Sequence, residues 1–450
     1  MKDIIQSQRQ FFNSDVTKPY AFRYAQLLKL KQAIQKHEPR ILEALKKDLN
    51  KSEFEAYTTE VGFTLMSINK TLKHLKKWMK PHQVSGELFL FMSTSFVMPE
   101  PKGNVLIIGP YNYPFQLVIE VLIGAIAAGN TALIKPSEFT VHTEKVLATM
   151  INETFPQEYI HVITGDAQVN QALLKEKFDH IFFTGSTRVG QIVYEAAAKH
   201  LTPVTLELGG KSPTIIDETA RLDVAAKRIA FAKFTNAGQT CIAPDYIYIQ
   251  ESIKDAFVAQ LKKVIETTYA NKDEFGVIVN DRHYTRLQGL LKQGKIWSVH
   301  ESHPISRYIS PTLVSEVTWD SAVMKEEIFG PILPILTYRH LEDVIALLKT
   351  KEKPLALYLF SESKQNQQRV WQALSFGNGA INDALMQVAN SALPFGGIGS
   401  SGMGSYHGYE SFKTFSHFKS YIKKATWIDL PVAYPPHTAA KLKLIKKIMK

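Results

Sequence analysis

Cysteine is almost missing from this chain: Cys241 is the only one among 450 residues. A single thiol excludes an intrachain disulfide. It also excludes zinc and iron–sulfur sites built from several thiolates, so no metal is expected. The N-terminus, MKDIIQSQRQFFNSD, lacks the basic start and continuous apolar run of a secretory signal. Long apolar stretches are missing too, since the best candidate, FQLVIEVLIGAIAAGNTALI, is broken by Glu120, Gly124 and Gly129. A cytoplasmic location is the expectation. There is no internal repeat, low-complexity segment or long Pro/Gly/Ser linker, which predicts interwoven lobes rather than domains strung out along the chain.

What is present is a chain that is 45% hydrophobic, long enough to bury a large core and form more than one lobe. It carries 53 Lys+Arg against 42 Asp+Glu, a net charge of +11. The excess is local: KTLKHLKKWMK runs from Lys70 to Lys80, and the last ten residues, KLKLIKKIMK, contain five lysines and no acid. That distribution argues against a nucleic-acid partner. In the tail, Leu444, Ile445, Ile448 and Met449 fall at helical spacing between lysines, a pattern that suits contact with a membrane surface or docking on the chain's own subunit.

Residues 21 to 80 read as helices, with apolar positions three and four apart and an interruption at Pro39. From Asn104 the rhythm becomes strand, helix, strand: NVLIIG, FQLVIEVLIGAIAAG, TALIK, TEKVLATMINETF, YIHVIT, HIFFTG, RVGQIVYEAAAKH. A second alternating series follows Glu207, with SPTIID, VAAKRIAFAKF, DYIYIQ and IKDAFVAQLKKVIETTY. Such alternation implies βαβ units and parallel sheets. LFLFMSTSFVMPEPKG and TFSHFKSYIKKAT stand outside this rhythm and suit strands of a small extra sheet.

Cys241 sits in FTNAGQTCIAPD. Free cysteine is usually a buried hydrophobe, but Gly, Gln, Thr, Ala and Pro make a poor core segment and a reachable loop. In a parallel sheet, ligands bind beyond the carboxyl ends of the strands. FFTGSTRVG places Gly185 and Ser186 at such an end, although a Gly/Ser turn alone is often only a turn. IKPSE offers Lys135 and Glu138 to ribose hydroxyls, or simply to each other as a surface ion pair. LELGGKSP ends a strand with Glu207, a candidate general base if burial raises its pKa, and otherwise a surface acid. GPYNYPF supplies Asn112, whose amide suits an oxyanion or an ordinary turn.

Taken in order, GPYNYPF, IKPSE, FFTGSTRVG, LELGGKSP, NAGQTC, EEIFGP and LPFGGIGSSGMGSYHG resemble the aldehyde dehydrogenase superfamily over nearly the whole chain, and the chain is most similar to its class 3 branch. The resemblance implies an α/β fold: a Rossmann-like NAD(P)-binding domain (1–86 and 103–208), a catalytic domain (209–410), bridging segments (87–102 and 411–430) and a basic tail (431–450). It implies Cys241 as nucleophile, Asn112 with the Cys241 N–H as oxyanion donors, and Glu207 as the base that hydrolyses a thioester. Lys135 and Glu138 carry over to the adenosine ribose, Gly185 and Ser186 to the pyrophosphate, Glu327 to the nicotinamide ribose and Phe329 to the nicotinamide. Glu138 tilts the choice toward NAD, with NADP open to the branch. Tyr113 and Phe395 would line the aldehyde funnel. Medium to long aliphatic or aromatic aldehydes and a homodimer are implied as well. Two rivals stand beside this reading, an acylating relative that uses coenzyme A and a retired scaffold. The presence of Glu207, Cys241 and Asn112 together argues against both.

Overall fold

The computed structural model describes residues 1–87, 90–429 and 431–449. Leu88 and Phe89 of the first bridging segment, Leu430 at the end of the second and Lys450 of the tail lie outside the described residues.

Two parallel sheets form from the two alternating stretches. The first has six strands in the order Gly402–Met403, Val204–Glu207, His180–Thr184, Asn104–Ile108, Thr131–Lys135 and Ile160–Val162. All its pairings are parallel except that of Gly402–Met403 against Val204–Glu207, so a short return of chain from the second lobe closes one edge. The second sheet has seven strands, and only Lys295–Ser298 runs antiparallel to its neighbour. Strands of both sheets, such as Asn104–Ile108 and Ala356–Phe360, are buried at every position, which explains their continuous apolar runs.

A third sheet of three antiparallel strands pairs His82–Val84 with Ser93–Pro101, and Ser93–Pro101 with Ser416–Lys424 in a register from Ser416 opposite Pro101 to Lys424 opposite Ser93. It joins two segments more than 300 residues apart, as their composition suggested.

One expectation is corrected. The chain does not break at Pro39, because a single helix, Tyr20–Leu49, runs through it. An interior proline costs a helix about 3 kcal/mol. Leu27, Leu30, Ile34, Ile41, Leu45 and Leu49 along this helix are all fully buried, and each contributes roughly 1.5–3 kcal/mol. Tertiary packing on both sides of Pro39 therefore outweighs the local penalty.

The tail forms a helix, Ala439–Ile448, with no buried residue. Among the described residues no helix is long and apolar enough to cross a membrane.

At the centre lies Gln116–Ala128, apolar around most of its circumference and buried at all thirteen positions. It packs on the helices Tyr409–Thr414, Gly62–Trp78 and Tyr20–Leu49. Gly124 allows the approach of Tyr409–Thr414, for a Cβ there would stand 2.7 Å from that of Ser411 and 3.2 Å from the Phe415 ring. Gly124→Val should therefore lower stability by about 1–3 kcal/mol through overpacking, measured by urea unfolding; an unchanged midpoint would mean that the two helices can part freely.

Candidate active site

The loops that leave the carboxyl ends of the first sheet converge on one cleft of about 1530 Å³ that is closed on its other side by the second lobe. Its walls include Asn112, Glu138, Gly185, Ser186, Glu207, Cys241, Glu327 and Phe329, so the structure gathers eight of the residues singled out in the sequence. Three others do not line it. Lys135 is wholly buried behind the wall, where its ammonium meets the Pro136 carbonyl, Glu138 at 3.4 Å and Glu144 at 3.7 Å. Tyr113 is buried with its hydroxyl 2.7 Å from that of Thr240. Phe395 is buried and stacked on His407, with ring centroids 5.1 Å apart.

Glu207 is the last residue of its strand and is 2% exposed, yet neither carboxyl oxygen has a hydrogen-bond partner among the described residues. Burial without a partner pushes its pKa well above the usual carboxylate range. A carboxyl group kept this way at neutral pH is suited to exchanging protons.

Cys241 follows three consecutive residues with left-handed backbone, Asn236, Ala237 and Gly238, at φ of 54°, 51° and 72°. The conformation costs a non-glycine residue about 1–3 kcal/mol. A Cβ at Gly238 would strike the Gly330 carbonyl at 2.3 Å, so the turn is also pressed against the EEIFGP segment. Burial pushes the Cys241 thiol up, and the Glu327 and Glu207 carboxylates push it further. The backbone N–H groups of Cys241 and Ile242 act in the opposite direction. At rest the thiol keeps its proton, and removing nearby negative charge makes it easier to ionise.

Glu327 opens partly onto the cleft, with its carboxylate against Gly209, where an added Cβ would come within 2.0 Å of Oε2. Its enclosure raises its pKa to about 8; Asp245 adds to the rise, and the Gly210 N–H, Lys211 and Arg286 oppose it. The turn that carries it is held from several sides. Lys211 pairs with Asp245 and donates to the carbonyls of Glu326 at 2.9 Å and Val323 at 3.1 Å, while Asp245 accepts the Ile328 N–H at 2.8 Å. Arg286 donates to the Ile328 carbonyl at 2.5 Å. Lys211 and Asp245 lie inside the quoted motifs, and their opposite charges were the available signal. Arg286 had none.

An aromatic rim was also missed by sequence reading. Tyr111 meets Phe329, Phe139 and His283 with centroids 5.7, 5.9 and 5.4 Å apart. Tyr111 stands beside Asn112 in GPYNYPF, but its neighbours are brought together only by the fold.

The Aldehyde dehydrogenase family model matches residues 2–421. The chain belongs to the aldehyde dehydrogenase family. It is 54% identical over 448 residues to the 4,4'-diaponeurosporen-aldehyde dehydrogenase of Staphylococcus aureus, covering 98% of this chain and 97% of that one. It is 43% identical to the dimeric NADP-preferring aldehyde dehydrogenase of Canis lupus familiaris, with 98% of each covered. Among solved structures, the substrate-bound state of Staphylococcus aureus AldH superposes with a TM-score of 0.98 at 53% identity, covering 100% of this chain and 99% of that one. The NAD-dependent aldehyde dehydrogenase of Sinorhizobium meliloti gives 0.85 at 27%, covering 95% and 88%. This dehydrogenase is thus an oxidoreductase acting on aldehydes, with NAD- and NADP-dependent enzymes among its relatives.

The cleft fits a dinucleotide of that kind. It has the volume, and the N-terminus of the twelve-residue helix Thr187–Ala198 opens on it behind Gly185, with Ser186 capping the Val189 N–H. Glu138 faces it with a part-exposed carboxylate.

Because Glu327 is largely ionised only above about pH 8, its charge opposes thiolate formation mainly there. Glu327→Gln should therefore shift the pH curve for iodoacetamide labelling of Cys241 to lower pH, with the gain in rate concentrated above pH 8. A shift to higher pH would contradict this placement of Glu327.

Proposed function

We propose that the enzyme oxidises an aldehyde to its carboxylic acid through a thioester on Cys241, with NAD or NADP in the cleft. The observation that carries this reading is the Glu207 carboxyl, unpaired at its strand end in the cleft that also holds Cys241 and Asn112. The Cys241 sulfur attacks the aldehyde carbon and its thiol proton leaves for a neighbouring base. The carbonyl electrons move onto oxygen, where the Asn112 amide and the Cys241 N–H stabilise the charge. A bound oxidised nicotinamide dinucleotide, with Glu327 and Phe329 at its nicotinamide end, would supply the acceptor for the hydride that the former aldehyde carbon loses. Glu207 then takes a proton from water, which attacks the thioester and releases the acid and the sulfur. Glu207 must be ionised for that step, so its raised pKa moves the rise of turnover with pH above the range of an ordinary carboxylate.

In this reading 1–86 and 103–208 hold the cofactor, with Glu138, Gly185 and Ser186 toward its adenosine and pyrophosphate and Glu327 and Phe329 toward its nicotinamide end. Lys135 acts through Glu138 and Glu144, its contacts in the wall. Residues 209–410 supply the thiol. Medium to long aliphatic or aromatic aldehydes are the proposed substrates, and the relative named for 4,4'-diaponeurosporen-aldehyde supports an apolar one. Tyr113 and Phe395 are assigned to the approach of that aldehyde from beyond the cleft.

We further assign the three-stranded sheet to a homodimer contact, in keeping with a relative named as dimeric. The protein is assigned to the cytoplasm, with its tail helix at an anionic membrane surface. On that helix Leu442, Leu444, Ile445 and Ile448 span about 160° of the circumference at 3.6 residues per turn, with Met449 at the C-cap. Leu442, Leu444 and Met449 are exposed, and Lys441 turns aside to the Tyr434 carbonyl at 2.8 Å.

Purified enzyme with a medium-chain aldehyde and NAD or NADP should produce reduced nicotinamide, Cys241→Ser should abolish it, and coenzyme A should not accelerate it. Full turnover in Cys241→Ser would defeat the mechanism, and dependence on coenzyme A would favour acyl transfer. Flotation with anionic vesicles should be lost on deleting residues 439–450; equal flotation of the shortened chain would remove the membrane assignment.

A further inference from the structure

The oxyanion donor and the nucleophile stand on different segments, and a buried assembly of charges lies directly behind both. Lys51 and Glu60 form an ion pair in which both side chains are wholly inaccessible. Such a pair is weak evidence for stability, because desolvation offsets much of its Coulomb energy. What else the two groups touch is more telling. The second Glu60 oxygen accepts the N–H groups of Phe115 and Gln116, both at 3.0 Å, at the start of the central helix. The Lys51 ammonium donates to the Asn112 carbonyl at 3.2 Å and lies 4.0 Å from the centre of the Tyr113 ring.

The Asn112 carbonyl has a second donor, the Asn236 side-chain amide at 2.8 Å, which also reaches the Gln239 carbonyl at 3.0 Å. Asn236 is fixed in turn by Glu55, whose carboxylate accepts the Asn236 backbone N–H at 2.8 Å. One carbonyl oxygen thereby ties together three stretches of chain: residues 51–60, the turn at Asn112, and the left-handed turn that delivers Cys241. Glu60 belongs to a single π-helical turn, Tyr57–Val61, set between two α-helical pieces. Wide turns of this kind are frequent at functional sites.

We propose that Lys51, Glu60 and Asn236 are positioning residues, which hold the Asn112 peptide against the Cys241 turn so that oxyanion donor and thiol stay in register. None of the three lines the cleft, so each acts through Asn112 or Cys241 and not on the aldehyde. The inference rests on the roles proposed above for those two residues. Misplacement of reacting groups by about 1 Å can cost roughly 100-fold in rate, so the assembly should act on kcat far more than on aldehyde binding.

The test uses three variants of the full chain and reads kcat, aldehyde KM and melting temperature together. Lys51→Met leaves the Glu60 charge buried and unpaired and should lower both melting temperature and kcat. Lys51→Met with Glu60→Gln removes both charges, so its melting temperature should return toward wild type while kcat stays low, since the Asn112 carbonyl still lacks one donor. Asn236→Gly keeps every charge and tolerates the φ of 54°; it should lower kcat by about 10-fold or more with KM within about threefold.

Recovery of kcat with melting temperature in the double variant, or an unchanged kcat in Asn236→Gly, would show the assembly to be structural only and overturn the proposal. The two readings fail separately. If Cys241→Ser is inactive while all three variants turn over normally, only the positioning role falls; if Cys241→Ser remains active, the mechanism itself falls first.

Discussion

The structure depends on keeping one carboxyl group, that of Glu207, buried without a partner. An unpaired buried acid is costly to hold in its charged form, and proteins ordinarily satisfy such groups. Here the strand Val204–Glu207 ends at the cleft, and Leu208, Gly209 and Gly210 follow it without supplying a hydrogen bond to its carboxyl oxygens. Around this unsatisfied group the protein places a thiol that is itself hard to ionise and a second acid, Glu327, with a pKa of about 8. Both acids push the pKa of the thiol up, while their own rises come from burial, with Asp245 adding to that of Glu327.

Holding that arrangement requires the two lobes to be fixed against each other. Gly238 presses on the Gly330 carbonyl, Lys211 and Asp245 brace the turn that carries Glu327, and the Gly402–Met403 strand returns from the second lobe to the edge of the first sheet beside Glu207. The central helix Gln116–Ala128 anchors the Asn112 turn from behind, and its complete burial makes it a rigid reference for the site. Backbone strain at Asn236 and Ala237 persists because the surrounding contacts leave the turn no alternative.

Much of this was legible in the sequence because it rests on local pattern. Continuous apolar runs marked buried parallel strands, Gly and Ser after a run marked strand-to-helix turns, and a lone cysteine in a polar loop stood out by its surroundings. The order of seven motifs located the family. What escaped were features created only by long-range packing. Pro39 reads as a helix break because the penalty is local and the burial that offsets it is not. Lys135 stands beside Glu138 in the sequence, but its second carboxylate contact, Glu144, comes from the following helix and no spacing rule shows it. Lys51 and Glu60 look like any charged pair on a helix, and nothing in their neighbourhood shows that both lose all contact with water. Tyr111, Phe139 and His283 belong to three separate segments, so no spacing rule joins them into one rim.

In the proposed mechanism a covalent thioester forms on Cys241 and Glu207 is needed to hydrolyse it. Intact-protein and peptide mass measurement on Glu207→Gln, quenched after mixing with aldehyde and NAD, tests this most directly. Near-stoichiometric acyl mass is expected on the single peptide containing Cys241, formed together with one equivalent of reduced nicotinamide and slow to clear. Reduced nicotinamide produced over many turnovers with no acyl mass on Cys241 would contradict it.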